Sequence, residues 1–422
     1  MLSAIVGINW GDEGKGRMVD LFSSEYDIIC RYQGGNNAGH TVINEKGKFI
    51  LNLLPSGVLC EQVVNVLGPG MVIDIEHLYK ELADLNNKGV CLTPKNLKIS
   101  DKAFLCMPYH VRQDILEEER LGDKKYGSTR RGIAPAYADK YAKKGLRIGD
   151  LTDAASLKDK LASILEWKNI AFKGRGEQQI RLEETYEWLC TFGSKIAPYI
   201  DDTTAFLHRA ARTDKKILFE AQLGALRDID YGIYPYTTSS QTLAAYAPIG
   251  AGIPGAKLDK VIGVIKAYSS CVGEGPFVAE MQGEEAQALR TAGFEFGAAT
   301  GRPRRVGAFD VTASRYGVQT QGANELALTK LDVLSYMDAI PVCTAYEVDG
   351  KRVTSFPSGG KLSAAKPVYE YLPGFKSDVS KCRRMRDLPK AALAYIKFIE
   401  NAMQCPVTYV SVGAERGDYI KV

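Results

Sequence analysis

The segment Ile8-Asn9-Trp10-Gly11-Asp12-Glu13-Gly14-Lys15-Gly16-Arg17 combines glycines, a lysine and two adjacent carboxylates directly after the apolar run 2–7. A glycine-rich turn between strand and helix lets backbone N–H groups close on phosphate oxygens, while a lysine and the helix N-terminus supply positive potential. The segment departs twice from G-x-x-x-x-G-K-[ST]. Asn9 stands at the first glycine, and Gly16 stands where a hydroxyl residue would hold Mg²⁺. Two carboxylates beside a polyphosphate are electrostatically costly unless a metal or a proton transfer uses them. The loop therefore predicts phosphate binding with an added acid–base or metal-ligating task.

Four further segments have the composition of ligand loops. In Gln33-Gly34-Gly35-Asn36-Asn37-Ala38-Gly39-His40-Thr41, small residues allow backbone approach and deliver one of only four histidines. That imidazole could donate to a phosphoryl oxygen or act as a general acid, or it could face solvent from a tight turn. Residues 126–135, Tyr-Gly-Ser-Thr-Arg-Arg-Gly-Ile-Ala-Pro, gather hydroxyls and guanidinium groups suited to an oxyanion, or form a solvated basic turn. Residues 297–305 place three arginines around Pro303, a carboxylate or phosphate clamp or an exposed charge run. Thr329-Lys330-Leu331-Asp332 ends an apolar run. Its aspartate could accept from N1–H and the 2-amino group of guanine, or make an ordinary strand-end ion pair. Five such loops in one chain are not readily explained as turns alone.

The elements that must position these loops alternate in type. Short Val/Ile/Leu runs at 2–8, 26–32, 63–67, 97–99, 216–220, 260–269, 325–331, 340–348 and 407–412 predict strands, several of them buried on both faces. Helical patterns at 76–86, 111–120, 157–169 and 390–403 lie between them. The alternation predicts an α/β fold with a large, mainly parallel central sheet flanked by helices, related to the P-loop nucleotide-binding folds. We expect one domain over 1–422, with a helical subdomain at 151–212 and an irregular surface excursion at 355–380.

Apolar residues make up 45% and charged residues 25%, as in soluble globular proteins. A net charge of +4 from 54 basic and 50 acidic residues gives no reason to invoke nucleic acid or a membrane surface. No run approaches a membrane span, and the start leads straight into a strand pattern without a targeting segment. Nine scattered cysteines without C-x-x-C suit buried thiols in a reducing cytoplasm.

The chain resembles the adenylosuccinate synthetase family almost from end to end. The likeness is carried in order by WGDEGKG (10–16), RYQGGNNAGHT (31–41), RGIAPAYADK (131–140), GLRIGDL (145–151), DIDYGIYPYTTSS (228–240), TGRPRR (300–305) and TKLD (329–332). It implies a GTP-dependent ligase joining IMP to L-aspartate, with one Mg²⁺ per subunit and usually as a homodimer. In that family's mechanism Asp12 takes the N1 proton of IMP and ligates Mg²⁺ together with the Gly39 carbonyl. His40 stabilises or protonates the transferred phosphoryl, and Lys15 offsets its charge. The resemblance places Asp12, Glu13, Gly14, Lys15, Asn37, Ala38, Gly39, His40, Thr129, Lys143, Gln222, Thr238 and Arg302 around IMP. It places Gly11, Asp12, Glu13, Gly14, Lys15, Gly16, Arg17, Gly39, His40 and Thr41 around GTP, with Arg304 at its ribose. Lys330, Leu331 and Asp332 would read guanine, and Ser411, Val412 and Gly413 would close over it. Ala298, Ala299, Thr300, Gly301, Arg302 and Arg304 would hold aspartate.

Some positions depart from the family pattern. Lys143 stands where an arginine of the partner subunit usually reaches the IMP phosphate, and lysine lacks the bidentate fork. The family's FEGAQG is here Phe219-Glu220-Ala221-Gln222-Leu223-Gly224, leaving either a shifted Gln222 or another group to contact the purine. Cys271 and Ala299 also replace more polar residues. Two other functions compete. A relative acting on a 2-aminopurine nucleotide such as dGMP is opposed by Asp12 and favoured by the displaced glutamine. A GTP-binding regulatory protein without ligase chemistry is opposed by His40 and the arginine loop.

Overall fold

The computed structural model describes residues 1–44, 47–297, 301 and 303–422. A ten-stranded sheet forms their centre. In chain order its strands are β1 (Leu2–Gly7), β2 (Ile28–Arg31), β3 (Val64–Leu67), β4 (Leu97–Ser100), β5 (Ile200–Asp201), β6 (Ile217–Glu220), β7 (Lys260–Lys266), β8 (Glu325–Thr329), β9 (Val407–Ser411) and β10 (Tyr419–Lys421). In space they run β10-β9-β8-β7-β1-β6-β2-β3-β4-β5. Every neighbouring pair is parallel except β9 with β10.

Alternation along the inner strands explains their continuous apolar runs. Ile5, Ile29, Leu218 and Ile262 meet Met18, Val19 and Phe22 of helix α1 (Lys15–Phe22) on one face. Ala4, Val6, Cys30 and Phe219 meet Leu207, Ala244 and Ala251 on the other. Both faces are covered, so neither half of the period can be polar. Each fully buried Val, Leu or Ile contributes about 1.5–3 kcal/mol.

Helices α2 (Ile75–Asn87), α3 (Pro108–Leu121), α4 (Ile133–Ala142), α5 (Ala154–Gly174), α6 (Leu182–Ile196) and α7 (Thr203–Arg212) precede β6 in the chain. The stretch 151–212 holds the last three and also β5, which pairs with β4 at the sheet edge. Its apolar side chains Leu157, Leu161, Leu165 and Leu189 share a core with Leu97 and Ile99 of β4. These helices therefore lack a core of their own.

Two expectations are corrected. The 340–348 run does not join the central sheet; Ala339–Val348 pairs antiparallel with Lys351–Val353 and Lys366–Pro373. The hairpin turns at Asp349 (φ +52°) and Gly350 (φ +71°), left-handed residues whose twist matches the strands. For the same reason 355–380 is not simply irregular, because Lys366–Pro373 supplies that strand and Gly360–Ala364 a helical turn.

The parallel topology directs the C-terminal ends of β1, β2, β6, β7, β8 and β9 to one edge of the sheet, where α/β folds place their ligands. Beneath this edge the helix Val311–Gln321 is capped by Asp310, which accepts from Ala313 N–H at 2.9 Å. It passes so close to the first loop that a methyl group on Gly317 would collide with the Ile8 carbonyl. Gly317→Ala should therefore cost at least about 1–3 kcal/mol through overpacking. The check is a lower urea midpoint at unchanged m-value.

Candidate functional site

β1 ends at Gly7 and α1 begins at Lys15, so residues 8–14 turn the chain from strand to helix. They do so through three left-handed residues, Gly11 (φ +108°), Asp12 (φ +59°) and Gly14 (φ +101°). Glycine takes this conformation freely, whereas an aspartate needs support. Glu13 supplies it by folding back under the loop. Its Oε1 accepts from Asn9 N–H at 3.1 Å and Gly11 N–H at 2.8 Å. Its Oε2 pairs with Lys15 Nζ at 2.8 Å, both side chains being almost fully buried. Gly7 and Gly224 make room: a Cβ on either would lie within 3 Å of the Glu13 carboxylate. The acid pair thus splits, with Glu13 inside and Asp12 outside, its side chain 34% exposed.

Two oddities of the loop gain physical causes. Asn9 donates from Nδ2 to Ser314 Oγ at 3.0 Å, fastening the loop to the helix below. Gly16 is glycine because His40 packs on it: a Cβ there would lie 2.8 Å from His40 Cβ and 3.1 Å from Ser56 Oγ.

His40 opens a hairpin of His40–Asn44 with Gly47–Leu51, and its ring is buried against Glu220 at the end of β6. Nδ1 lies 2.7 Å from Glu220 Oε1, although the ring N–H is not aligned on that oxygen. Glu220 also accepts from Ser56 N–H at 2.8 Å and Ser56 Oγ at 3.1 Å. Burial lowers the His40 pKa and Glu220 opposes it. Burial alone would raise the Glu220 pKa, but His40, Arg31 and Ser56 leave it below the ordinary value. With Nδ1 facing Glu220, Nε2 is the ring atom left for a ligand.

The 33–41 loop is braced by Gln222, and here the sequence expectation is corrected. Gln222 is fully buried; its Nε2 donates to Gly35 O at 2.6 Å and Asn52 O at 3.1 Å, and its Oε1 accepts from Gly35 N–H at 3.3 Å. A carboxamide so engaged does not contact a purine, and its role is to hold Gly34 and Gly35 in place. Asn37 Oδ1 lies 3.3 Å from Gly35 N, while the Ala38 carbonyl accepts from Asn52 Nδ2 at 3.2 Å. Leu223 takes a left-handed backbone (φ +57°) beside Gly11.

Residues expected around GTP converge on the other flank of α1. Arg17 donates to Ser411 Oγ at 2.8 Å and to Gly413 O at 2.5 Å. Val412 is buried next to them, and Thr41 is half-buried in the hairpin. Thr329 donates its hydroxyl to the Glu13 carbonyl at 2.7 Å. Lys330 Nζ donates to Gly293 O at 2.9 Å, and Leu331 is buried beneath it. Asp332 Oδ1 is buried without a hydrogen-bond partner, and burial raises the carboxyl pKa. An acceptor so placed is available to a ligand donor.

Arg304 joins the two flanks. Its Nε lies 3.2 Å from Asp12 Oδ2 and its guanidinium 2.8 Å from Glu295 Oε2. Glu295 is completely buried; it also pairs with Lys266 Nζ at 2.7 Å and accepts from the Tyr268 hydroxyl. Burial alone would raise the Glu295 pKa, but these partners outweigh it and hold it at about 2. Gly301 is exposed in a left-handed turn (φ +63°). Ala298, Ala299, Thr300 and Arg302 lie outside the described residues. Thr129 and Lys143 are exposed before and after α4. Thr238 donates its N–H to Arg227 O at 2.8 Å.

Asp12 and Gly39 are both exposed and offer hard oxygens, a carboxylate and a carbonyl. Among the described residues no cluster of three or more His, Cys, Asp and Glu side chains could cage a metal. One or two protein oxygens completed by substrate phosphates are a common Mg²⁺ donor set, and these residues fit it.

Residues 4–420 match the family model described as adenylosuccinate synthetase. The chain belongs to the adenylosuccinate synthetase family. It is 42% identical over 421 residues to the adenylosuccinate synthetase of Caldanaerobacter subterraneus subsp. tengcongensis, covering 99% of this chain and 98% of that one. With the Carboxydothermus hydrogenoformans adenylosuccinate synthetase it is 44% identical over 418 residues, covering 99% and 97%. Among solved structures, a fully ligated adenylosuccinate synthetase from Plasmodium falciparum superposes with a TM-score of 0.94 at 34% identity, covering 100% of this chain and 99% of that one. A cyanophage S-2L succinoaminodeoxyadenylate synthetase bound to dGMP and dATP matches at a TM-score of 0.63 and 19% identity, covering 100% and 95%, a likeness of fold alone. As an adenylosuccinate synthetase family member, the chain is an enzyme, a ligase of AMP biosynthesis.

Sequence reasoning missed the buried partners Glu220, Lys266, Tyr268, Glu295 and Arg227. For two of them a signal existed: Glu220 is the single charge closing the apolar strand Ile217–Glu220, and Lys266 is a buried charge closing the apolar run 261–265. Arg227 binds Glu274 O at 3.1 Å and Val272 O at 2.6 Å, tying down the turn after Cys271.

The Glu295 shift has a pH consequence. Its folded pKa lies below the ordinary 4.5, so its stabilisation is present above that value and is lost as pH falls towards 2. Glu295→Gln should cost about 3–5 kcal/mol at neutral pH, because Lys266 stays buried without its partner. Its stability should also fall less steeply than the wild type's between pH 4.5 and 2, as followed by urea unfolding at each pH.

Proposed function

We propose that this chain joins IMP to L-aspartate to form adenylosuccinate, converting GTP to GDP and phosphate through 6-phosphoryl-IMP. The observation that carries this reading is the split acid pair. Asp12 faces outward beside Arg304 while Glu13 is enclosed with Lys15.

Asp12 takes the proton from N1 of IMP, and the electron pair moves onto O6. O6 attacks the γ-phosphorus of GTP, and the bond to the bridging oxygen breaks to release GDP. Lys15 and the loop N–H groups offset charge on the transferred phosphoryl, and His40 donates to its oxygen from Nε2. The aspartate amine then adds at C6, phosphate leaves with the C6–O electrons, and the amine loses a proton. One Mg²⁺ per subunit, held by Asp12 and the Gly39 carbonyl, would supply charge neutralisation at the phosphoryl.

Asn37, Ala38, Thr129 and Thr238 serve IMP. Arg17, Lys330, Asp332, Ser411 and Gly413 serve GTP, with the partnerless Asp332 Oδ1 as acceptor for guanine. Thr300 and Arg302 serve aspartate. The enzyme acts as a cytoplasmic homodimer in which the partner's Lys143 reaches the IMP phosphate. Because Gln222 is engaged by Gly35 and Asn52, a 2-aminopurine nucleotide such as dGMP is kept as the second reading.

Incubation with GTP, Mg²⁺, aspartate and either IMP or dGMP separates these readings. GDP release should require IMP and aspartate together, and release with neither would overturn the proposal. Asp12→Ala should abolish turnover while GTP affinity stays within about tenfold, roughly 1.4 kcal/mol, by equilibrium titration. Full turnover in that variant would remove Asp12 from the role of base.

A further inference from the structure

Helix α3 carries His110, Asp114 and Glu118 at four-residue spacing, on one face of the helix. All three are buried, with 0%, 5% and 5% of their surface exposed. Three polar groups in a row on a buried face need specific partners, and each has them. Glu118 accepts from Tyr126 N–H and Gly127 N–H, both at 3.1 Å. Asp114 accepts from the Ser128 hydroxyl at 2.7 Å and from Gly132 N–H at 2.9 Å. His110 Nδ1 accepts from Met107 N–H at 2.9 Å, so Nε2 carries the proton and donates to Asp139 of α4 at 2.7 Å. Lys168 of α5 closes the set on Asp139 at 2.5 Å.

Tyr126, Gly127, Ser128 and Gly132 of the 126–132 loop are therefore held from α3. The outer side is free: Thr129, Arg130 and Arg131 are exposed, and Arg130 takes a left-handed backbone (φ +56°). Gly132 permits the close approach, since a Cβ there would lie 2.6 Å from Val111 N. A hydroxyl and two guanidinium groups exposed on a loop whose back is fixed have the chemistry to hold an anion with little ordering left to do. With Gly127 and Gly132 both at positive φ, the same loop without its tethers would sample many conformations.

We propose that Asp114 and Glu118 are positioning residues that pre-order the 126–132 loop for the phosphate of the nucleoside monophosphate substrate, with His110–Asp139 fixing the helix that follows. This rests on the reading that IMP is that substrate. Neither carboxylate touches substrate; each acts through the backbone that presents Thr129 and the arginines.

The test uses the full-length enzyme with Asp114→Asn, Glu118→Gln and the milder Ser128→Ala, and two readouts. Steady-state kinetics should show KM for IMP raised about tenfold in the carboxylate variants, the size expected from losing a charge-assisted hydrogen bond, with kcat and KM for GTP within about twofold. Tryptic cleavage after Arg130 and Arg131 in the ligand-free protein should accelerate, with thermal midpoints close to wild type. Saturating IMP should restore protection. Faster cleavage with an unchanged KM for IMP would overturn the proposal, since the loop would be tethered without serving the nucleotide. A joint change in every constant with a lowered midpoint would also overturn it, as a general loss of structure. If wild type shows no turnover with IMP, the functional reading falls; cleavage rates then decide the tether alone, and unchanged rates reject it.

Discussion

A glutamate folded beneath its own loop organises this site. Asn9 N–H and Gly11 N–H would otherwise point into a tight turn unpaired, and Lys15 would be buried without a counter-charge. Glu13 meets all three needs at once. A buried ion pair of this kind adds little net stability, because desolvation of both charges offsets their attraction. It specifies geometry instead: with Glu13 inside, the left-handed residue beside it must turn outward, and that residue is Asp12. The division between an enclosed and an exposed carboxylate follows from three hydrogen-bonding groups and the room left by Gly7 and Gly224.

The same device recurs along the edge of the sheet. Glu220 beside the His40 imidazole, Glu295 between Lys266 and Arg304, and Asp332 near Lys330 each place a carboxylate against a nitrogen-bearing side chain near a strand end. Parallel strands bring these pairs to one side of the sheet, where the charges are locally compensated. Arg304 connects them, reaching Asp12 from one direction and Glu295 from the other. Compensation of this kind matters wherever anionic ligands add further negative charge to the same space.

Departures from the family pattern fall outside this framework. Lys143 is exposed at the end of α4, far along the chain from the first loop, and Gln222 has become a brace for Gly34 and Gly35. The Glu13–Lys15 arrangement of the first loop makes no contact with Lys143, whereas the 33–41 loop that delivers His40 leans on Gln222. Leu223 packs beside Gly11, its Cα 3.2 Å from where a Cβ on that glycine would lie.

Much of the fold was legible because its signals are local. Continuous Val/Ile/Leu runs separated by helical periodicity specify strands buried on both faces, and such strands pair in parallel beneath helices. The turn at 8–14 was equally legible, since its glycines supply the left-handed backbone that a tight strand-to-helix turn needs. The small sheet of 339–348 with 366–373 was not, because its pairing is set by a hairpin and a distant partner rather than by the run itself. Residue types and spacing brought two acids, a lysine and a histidine forward as candidates for phosphate chemistry. Only the tertiary structure decided which acid faces outward, why Gly16 must be glycine, and where Gln222 is engaged. Those outcomes depend on Gly224, His40 and Gly35 arriving from other strands, and contacts between distant residues leave no periodic trace in the chain.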